Sequence, residues 1–339
     1  MIRNGHSTTI QANWGMVGHA WAVNLLKKHA ADHKHKNAYL ITGPNGVGRR
    51  TLALRFAQAL NCPTPFAPGE PCRACQTCNQ IEAMLHPDLS VIQAERIGGV
   101  IRVEQIRELM RSLSLTPYSA QFRVALLIRF EEANPNAANA LLKTLEEPPP
   151  RVVLILTAES SERLLPTIVS RCEVIRLVPV PTDTIYQSLI SGWVISEDRA
   201  RLVAHICAGS PGIAIRLHQV PSLLDRRQAW LEDQRRLLSA SYFDRFDYAE
   251  KLAKDKEKAR ATLATWLSFW RDVMLTAGNA DHPPANIDWG PEIADLSTRL
   301  GLIRAYNLVR SAQKAIERLD RNINSLLVLE VFMLDLPSL

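Results

Sequence analysis

Residues 43 to 51 read Gly-Pro-Asn-Gly-Val-Gly-Arg-Arg-Thr, directly after the short apolar run Ala38 to Thr42 and before a helical pattern running from Thr51 to Leu60. Strand, glycine-rich loop and helix in that order form the context of a phosphate-binding loop. The pattern asks for Lys and then Ser or Thr after the last glycine, Lys to neutralise phosphates and the hydroxyl to bind magnesium. Both positions carry arginine, Arg49 and Arg50. Gly43, Gly46, Val47 and Gly48 retain the backbone cradle. Arg49 keeps a positive charge, but a planar fork does not replace a compact ammonium. Arg50 removes the magnesium hydroxyl, and Thr51 sits about 100° further round the helix, where it cannot stand in.

The magnesium site should also draw on an acid at the end of the third strand. The apolar run Val124 to Ile128 instead meets Arg129 and Phe130, with Glu131 and Glu132 arriving two to three residues late. Two defects in one site predict that this chain does not hydrolyse ATP. Weak ATP or ADP binding through Gly43, Gly46, Val47, Gly48, Arg49, Arg50 and Thr51 stays open.

The pattern alternates in the first half of the chain. An amphipathic stretch covers Val17 to His29, Leu89 to Ile92 reads as a second strand, and Val103, Ile106, Leu109, Met110 and Leu113 fall on one helical face. Asn139 to Leu145 continues a helix that Pro148, Pro149 and Pro150 end, and Val152 to Leu156 and Val174 to Leu177 complete five short strands. Strands interleaved with helices predict a doubly wound parallel sheet. The proline-rich Val178 to Thr182 reads as a hinge, after which strand patterns vanish. The expected division is therefore an α/β P-loop domain over 1–178, a small helical module over 179–220, and a longer all-α domain over 221–339. Leu263, Trp266, Leu267, Trp270, Val273 and Met274 recur at helical spacing and predict a core stripe.

Four of the six cysteines cluster as Cys62, Cys72, Cys75 and Cys78, a spacing of C-x9-C-x2-C-x2-C. Four thiolates this close suit a tetrahedral structural zinc. An iron–sulfur cluster is the rival, but the ferredoxin run puts a fourth Cys and then Pro just after the third, where Asn79 to Ile81 stand here. Hydrophobic residues at 47% and charged residues at 22% describe a globular protein, with no apolar run near the roughly 20 residues a membrane span needs and no apolar leader in Met1 to Gln11. A cytoplasmic location is expected. The net charge of +6 permits contact with a polyanion without requiring it, and Lys27 to Lys36 reads as a solvated basic face.

Asn139 to Pro149 (NALLKTLEEPP) and Leu164 to Ile175 (LLPTIVSRCEVI) resemble the AAA+ subunits of the bacterial replicative sliding-clamp loader, and the likeness runs from Val17 to the helical region near Trp266. The resemblance implies a pentamer of gamma or tau ATPase subunits, a delta subunit and a non-hydrolysing subunit, within the DNA polymerase III holoenzyme, a nucleotidyltransferase. Its job is to open the ring clamp and set it on primer-template DNA. The eroded nucleotide site resembles the non-hydrolysing kind, and the chain's length leaves no room for tau's long C-terminal extension. By the same resemblance the three domains are an AAA+ module with an inserted zinc knuckle, a helical lid and an oligomerising collar. Arg171 of the Ser170-Arg171-Cys172 motif corresponds to an arginine finger that reaches a neighbour's ATP site, with Ser170 orienting the turn. Thr157 stands near a polar sensor position, and Gly212 stands where an ATPase would carry a second sensing arginine, with Arg216 one turn on. Two other readings compete: a gamma-like active ATPase, and a zinc-dependent DNA-binding module.

Overall fold

The computed structural model describes residues 13–32, 35–96, 98–321 and 323–338; the polar start Met1 to Gln11, and positions 33 and 34 of the basic segment, lie outside them. By contacts the chain forms two units, one of residues up to Val194 with Gly209–Ile213, the other of Ile195–Ala208 with Ala214–Leu339.

The first unit is built in the order α1 (Ala20–Ala31), β1 (Ala38–Thr42), α2 (Arg49–Asn61), α3 (Gln76–Glu82), β2 (Leu89–Ile92), α4 (Val103–Leu113), β3 (Arg123–Leu127), α5 (Pro135–Glu146), β4 (Val152–Ala158), α6 (Pro166–Val169), β5 (Glu173–Arg176) and α7 (Thr182–Gly192). The five strands pair in parallel in the order β2-β3-β4-β1-β5. This is the predicted doubly wound parallel sheet. The three central strands are buried along their whole length, which is why they read as continuous apolar runs. Their side chains still alternate between two cores. Tyr39, Ile41, Val124, Leu126, Val153 and Ile155 face one, packed under α1 and α2. Leu40, Ala125, Leu127, Leu154 and Leu156 face the other with Ile106, Leu109 and Leu113 of α4 and Leu141 of α5.

Local signals set the ends of these elements. Helix α1 starts three residues later than the amphipathic pattern suggested, because Gly18 and His19 adopt left-handed conformations just before it. Helix α5 opens where the Asn134 side chain accepts the Ala137 N–H with Pro135 in the first turn, and closes ahead of the prolines. The strand order reverses around β1, and open α/β sheets bind ligands at the carboxyl ends of strands beside such a reversal.

The second unit contains no strand among its described residues. Helix α8 (Glu197–Ile206) is followed by α9 (Pro211–Gln219), whose first residues group with the first unit, then α10 (Ser222–Leu238), α11 (Tyr242–Ala253), α12 (Lys256–Ala277), α13 (Gly290–Asp320) and α14 (Ser325–Asp335). Leu263, Trp266, Trp270 and Val273 of α12 are fully buried against α13 and α14, so the apolar stripe is core as expected. Helix α13 is broken at Gly301, with φ 68° and ψ 171°. Among the described residues no helix is long and apolar enough to cross a membrane.

Candidate functional site

The loop after β1 has the backbone of an anion cradle. Gly43 has φ 146°, and a Cβ there would come within 2.5 Å of the Leu177 carbonyl. Gly46 has φ 78°; its carbonyl accepts the Gly212 N–H at 2.8 Å, and a Cβ would lie 2.8 Å from Cγ1 of Ile213. Gly212 thus meets the loop through its backbone alone. His19 bonds the Val47 carbonyl through Nε2 at 3.2 Å, and burial holds its pKa below the ordinary value, against the pull of that carbonyl. Helix α2 begins at Arg49 without a side-chain cap. Among the described residues the N–H groups of Gly48, Arg49, Arg50 and Thr51 meet no acceptor, which leaves a helix start open to a negative group.

The two replaced positions behave differently. Arg50 and Thr51 are exposed, so neither offers an oxygen or a charge inside the loop. Arg49 is turned inward with its side chain 10% exposed, and its Nη1 lies 4.0 Å from Oε1 of Glu131, an ion pair too long for a hydrogen bond. Burial lowers the Arg49 pKa, against the opposing field of Glu131, and burial likewise raises that of Glu131. One oxygen of Glu131 accepts the Glu159 N–H at 3.2 Å, while Oε2 is buried without a partner.

Sequence spacing had set Glu131 too late to matter, and the structure corrects this. After β3, Arg129 takes a left-handed conformation (φ 52°, ψ 58°) and Phe130–Glu132 form a 3₁₀ turn anchored by buried Phe130. That turn swings Glu131 back to the loop. Arg129 itself folds away, its Nε donating to Glu132 at 2.9 Å. Thr157, the sensor candidate, is buried and its hydroxyl accepts the Arg129 N–H at 3.0 Å, so it braces the turn. A left-handed non-glycine residue after an apolar strand leaves no periodic signature, which is why Glu131 escaped the sequence reading.

The four cysteines converge. Their sulfurs all lie within 4.8 Å of one another, with Cys62 to Cys72 at 3.5 Å and Cys72 to Cys78 at 4.0 Å. Bonds of about 2.3 Å to a tetrahedral ion would separate sulfurs by about 3.8 Å, so the group fits a metal. Backbone N–H groups of Cys72, Cys75 and Cys78 point at the sulfurs of Cys62, Cys72 and Cys75 at 3.3 to 3.4 Å, as thiolates require. Although burial opposes it, the N–H groups of Ala74 and Cys75 and the Thr64 hydroxyl bring the Cys72 thiol down to about 6. The knuckle is fastened to the sheet unit by Gln58, which donates to the Cys78 carbonyl at 2.8 Å, by the Arg55–Glu82 ion pair, and by Trp14, whose indole donates to the Gly69 carbonyl at 3.2 Å.

Ser170 and Arg171 lie just after α6 and are exposed. Arg171 donates to Glu146 at 2.5 Å, to the Thr167 carbonyl at 2.9 Å and toward the Ser170 hydroxyl at 3.4 Å. These partners lie on α5, on α6 and in the turn just after it, none in the P-loop. Glu146 is the first acid of the LEEPP string, whose role as the partner of Arg171 the sequence reading did not assign. Cys172 leads into β5, its thiol pushed up to about 12 by burial.

The profile of a family described as "DNA polymerase III, delta subunit" matches residues 18–181, a span that holds the loop, the knuckle and the Ser170-Arg171 pair. The DNA polymerase III subunit delta' of Bacillus subtilis is 31% identical over 264 residues, 76% of this chain and 77% of that one. The chain belongs to the DNA polymerase III delta-prime family. The delta' subunit of Pseudomonas aeruginosa is 38% identical over 200 residues, and the match spans 58% of this chain and 60% of that relative's length. The tau/gamma subunit of Haemophilus influenzae is 34% identical over 174 residues, 51% of this chain and 25% of its own.

Proposed function

We propose that this chain is the non-hydrolysing subunit of the bacterial replicative clamp loader. It acts in DNA replication by lending Arg171 to a neighbouring gamma or tau subunit. The observation that carries this reading is the inward-turned Arg49–Glu131 pair. Magnesium requires oxygen ligands. Here the hydroxyl position is an exposed arginine, and the acid that reaches the loop faces a guanidinium instead of a metal. The same pair disfavours the gamma-like ATPase reading.

Arg171 is exposed and carried on a short turn, as a group reaching outward must be. In a neighbour's site its guanidinium stabilises charge developing on the γ-phosphate, an effect of about a thousandfold or more where fingers act in trans. Ser170 and Glu146 hold its orientation beforehand. Cys62, Cys72, Cys75 and Cys78 hold a structural zinc with no open coordination position. The free N–H groups at the start of α2 suit ATP or ADP bound weakly, without turnover. Residues 1–178 serve as the AAA+ module, 179–220 as lid and 221–339 as collar, in a cytoplasmic hetero-pentamer with gamma or tau and delta that engages the sliding clamp and primer-template DNA.

The test is the DNA-stimulated ATPase of the loader assembled with Arg171→Ala in this chain. The rate should fall at least tenfold with assembly intact by gel filtration. An unchanged rate, or hydrolysis by the isolated chain at the rate of the complex, refutes the reading.

A further inference from the structure

Helix α2 starts beside a guanidinium that its surroundings leave half answered. The Arg49 side chain is nine-tenths buried, 10% exposed, and its Nη1 has no hydrogen-bond partner. Glu131, whose Oε1 lies 4.0 Å from that nitrogen, likewise buries an Oε2 that no donor reaches. The neighbouring charges are engaged elsewhere, Glu159 by Arg163 at 2.5 Å and Arg129 by Glu132 at 2.9 Å. Both orphaned atoms belong to the surroundings of the phosphate loop: Glu131 accepts the Glu159 N–H, and the Glu159 carbonyl in turn accepts the Gly43 N–H at 3.2 Å. A charged donor left buried and unanswered is unfavourable, and phosphate oxygens are acceptors that a guanidinium fork matches well.

We propose that Arg49 stands in for magnesium, so that the loop takes a diphosphate group in its metal-free form; this rests on the reading above that the loop binds without turnover, and adds which ionic form it holds. Backbone N–H groups of such a loop cradle the α and β phosphates of a nucleotide, while the outermost phosphate depends on the lysine and the metal. Here the N–H groups at the start of α2 are open, the lysine and the hydroxyl are replaced, and Arg49 supplies positive charge beside the loop. Glu131 faces the guanidinium without closing a hydrogen bond, so Nη1 stays available to a phosphate oxygen. A magnesium ion carried in on the ligand would meet that guanidinium at close range, with no hydroxyl to hold it. A nucleoside diphosphate and inorganic pyrophosphate share this chemistry.

The test is calorimetric titration of the full chain with ADP and, separately, with inorganic pyrophosphate, each in EDTA and in millimolar magnesium. Binding should be present in EDTA and weaken about fivefold or more when magnesium sequesters the ligand, the reverse of a working P-loop. Arg49→Gln should lower the metal-free affinity at least tenfold. Because Arg49 is so little exposed, Arg50→Glu gives a second reading: its exposed side chain suits a helix start, so the fold is kept while a negative charge beside the loop weakens binding to a similar extent. Arg49→Lys/Arg50→Thr should reverse the sign of the magnesium effect. Equal affinities for the two ligands mark the bare diphosphate as what is read, and a stronger hold on ADP marks a nucleotide as its source; either supports the proposal. Binding that is absent in EDTA, strengthened by magnesium, or unchanged in both Arg49→Gln and Arg50→Glu overturns it. That failure leaves the role of Arg171 standing, since the loader's ATPase reads the latter, whereas ATP hydrolysis by the isolated chain overturns the non-hydrolysing reading instead.

Discussion

Exchange of Cys72 for serine removes one thiol of the proposed zinc-binding set while keeping an acceptor for the Cys75 N–H and the Thr64 hydroxyl. Among the described residues, and besides the cysteines, the stretch from Pro63 to Arg73 is tied only at a few points: the Trp14 indole to the Gly69 carbonyl, the Lys27–Glu70 ion pair, and the turn bonds from the Phe66 N–H to the Glu70 carbonyl and from the Glu70 N–H to the Ala67 carbonyl. Pro63 to Pro68 are all exposed, and only Gly69 and Pro71 of the stretch up to Arg73 are buried. Fixing about ten such residues costs about 10–20 kcal/mol at roughly 1–2 kcal/mol each. A structural zinc contributes about 10–16 kcal/mol, so the metal alone is of the size needed. Loss of the ion should therefore melt the stretch between Cys62 and Cys75 locally. Helix α3 should outlast it, since Ile81 is buried and Gln58 holds the Cys78 carbonyl. Elemental analysis should find one zinc per wild-type chain and none in the variant. Hydrogen exchange should rise at least a hundredfold between residues 63 and 74 with little change in the central strands. A metal-free variant that keeps wild-type protection there would refute the argument.

Three further outcomes follow from the buried polar contacts and the altered loop. Asp88 is buried and accepts the N–H groups of Tyr118, Ser119 and Ala120 at 2.7 to 2.9 Å, beside Arg123. Burial alone would raise its pKa, but those N–H groups and Arg123 hold it below the usual 3.8. Its contribution is thus complete above that value and lost as pH falls through the folded pKa. Asp88→Asn should cost about 3–5 kcal/mol in urea denaturation at pH 7 and flatten the acid limb of the stability profile. Arg245 is fully buried and donates to the carbonyls of Leu237, Leu238, Met333, Leu336 and Pro337, which lie at the carboxyl ends of α10 and α14. Arg245→Met strands those carbonyls and should lower stability by about 3–5 kcal/mol, read from the unfolding of the tryptophan-rich second unit. Restoring Lys and Thr together as Arg49→Lys/Arg50→Thr should raise the affinity of the isolated chain for magnesium–ATP at least tenfold by calorimetry; no gain would mean that Gly212 and Ile213, not the arginines, close the loop.

Periodic features were readable because their cause is local. The continuous apolar runs of β1, β3 and β4, the α4 stripe and the α12 tryptophans each require only that a residue know its own helix or strand. The glycine loop and the cysteine spacing were legible for a similar reason: short-range geometry limits what such residues can do. Boundaries moved by a residue or a few where left-handed His19 and Arg129 intervened. What remained hidden were partnerships across the sequence. Glu131 reaches Arg49, Glu146 holds Arg171, Asp88 pins a loop about thirty residues away, and Arg245 closes the end of a helix about ninety residues on.

The sequence by itself determined that this chain has a parallel P-loop sheet followed by helices, that its nucleotide site lacks the usual lysine and hydroxyl, and that four cysteines can meet. Tertiary structure alone decided where the charges of that altered site go. A left-handed turn after β3 carries Glu131 to Arg49 and sends Arg129 the other way. Such a turn depends on Phe130 finding a place in the core, and no local pattern records which core position will be vacant.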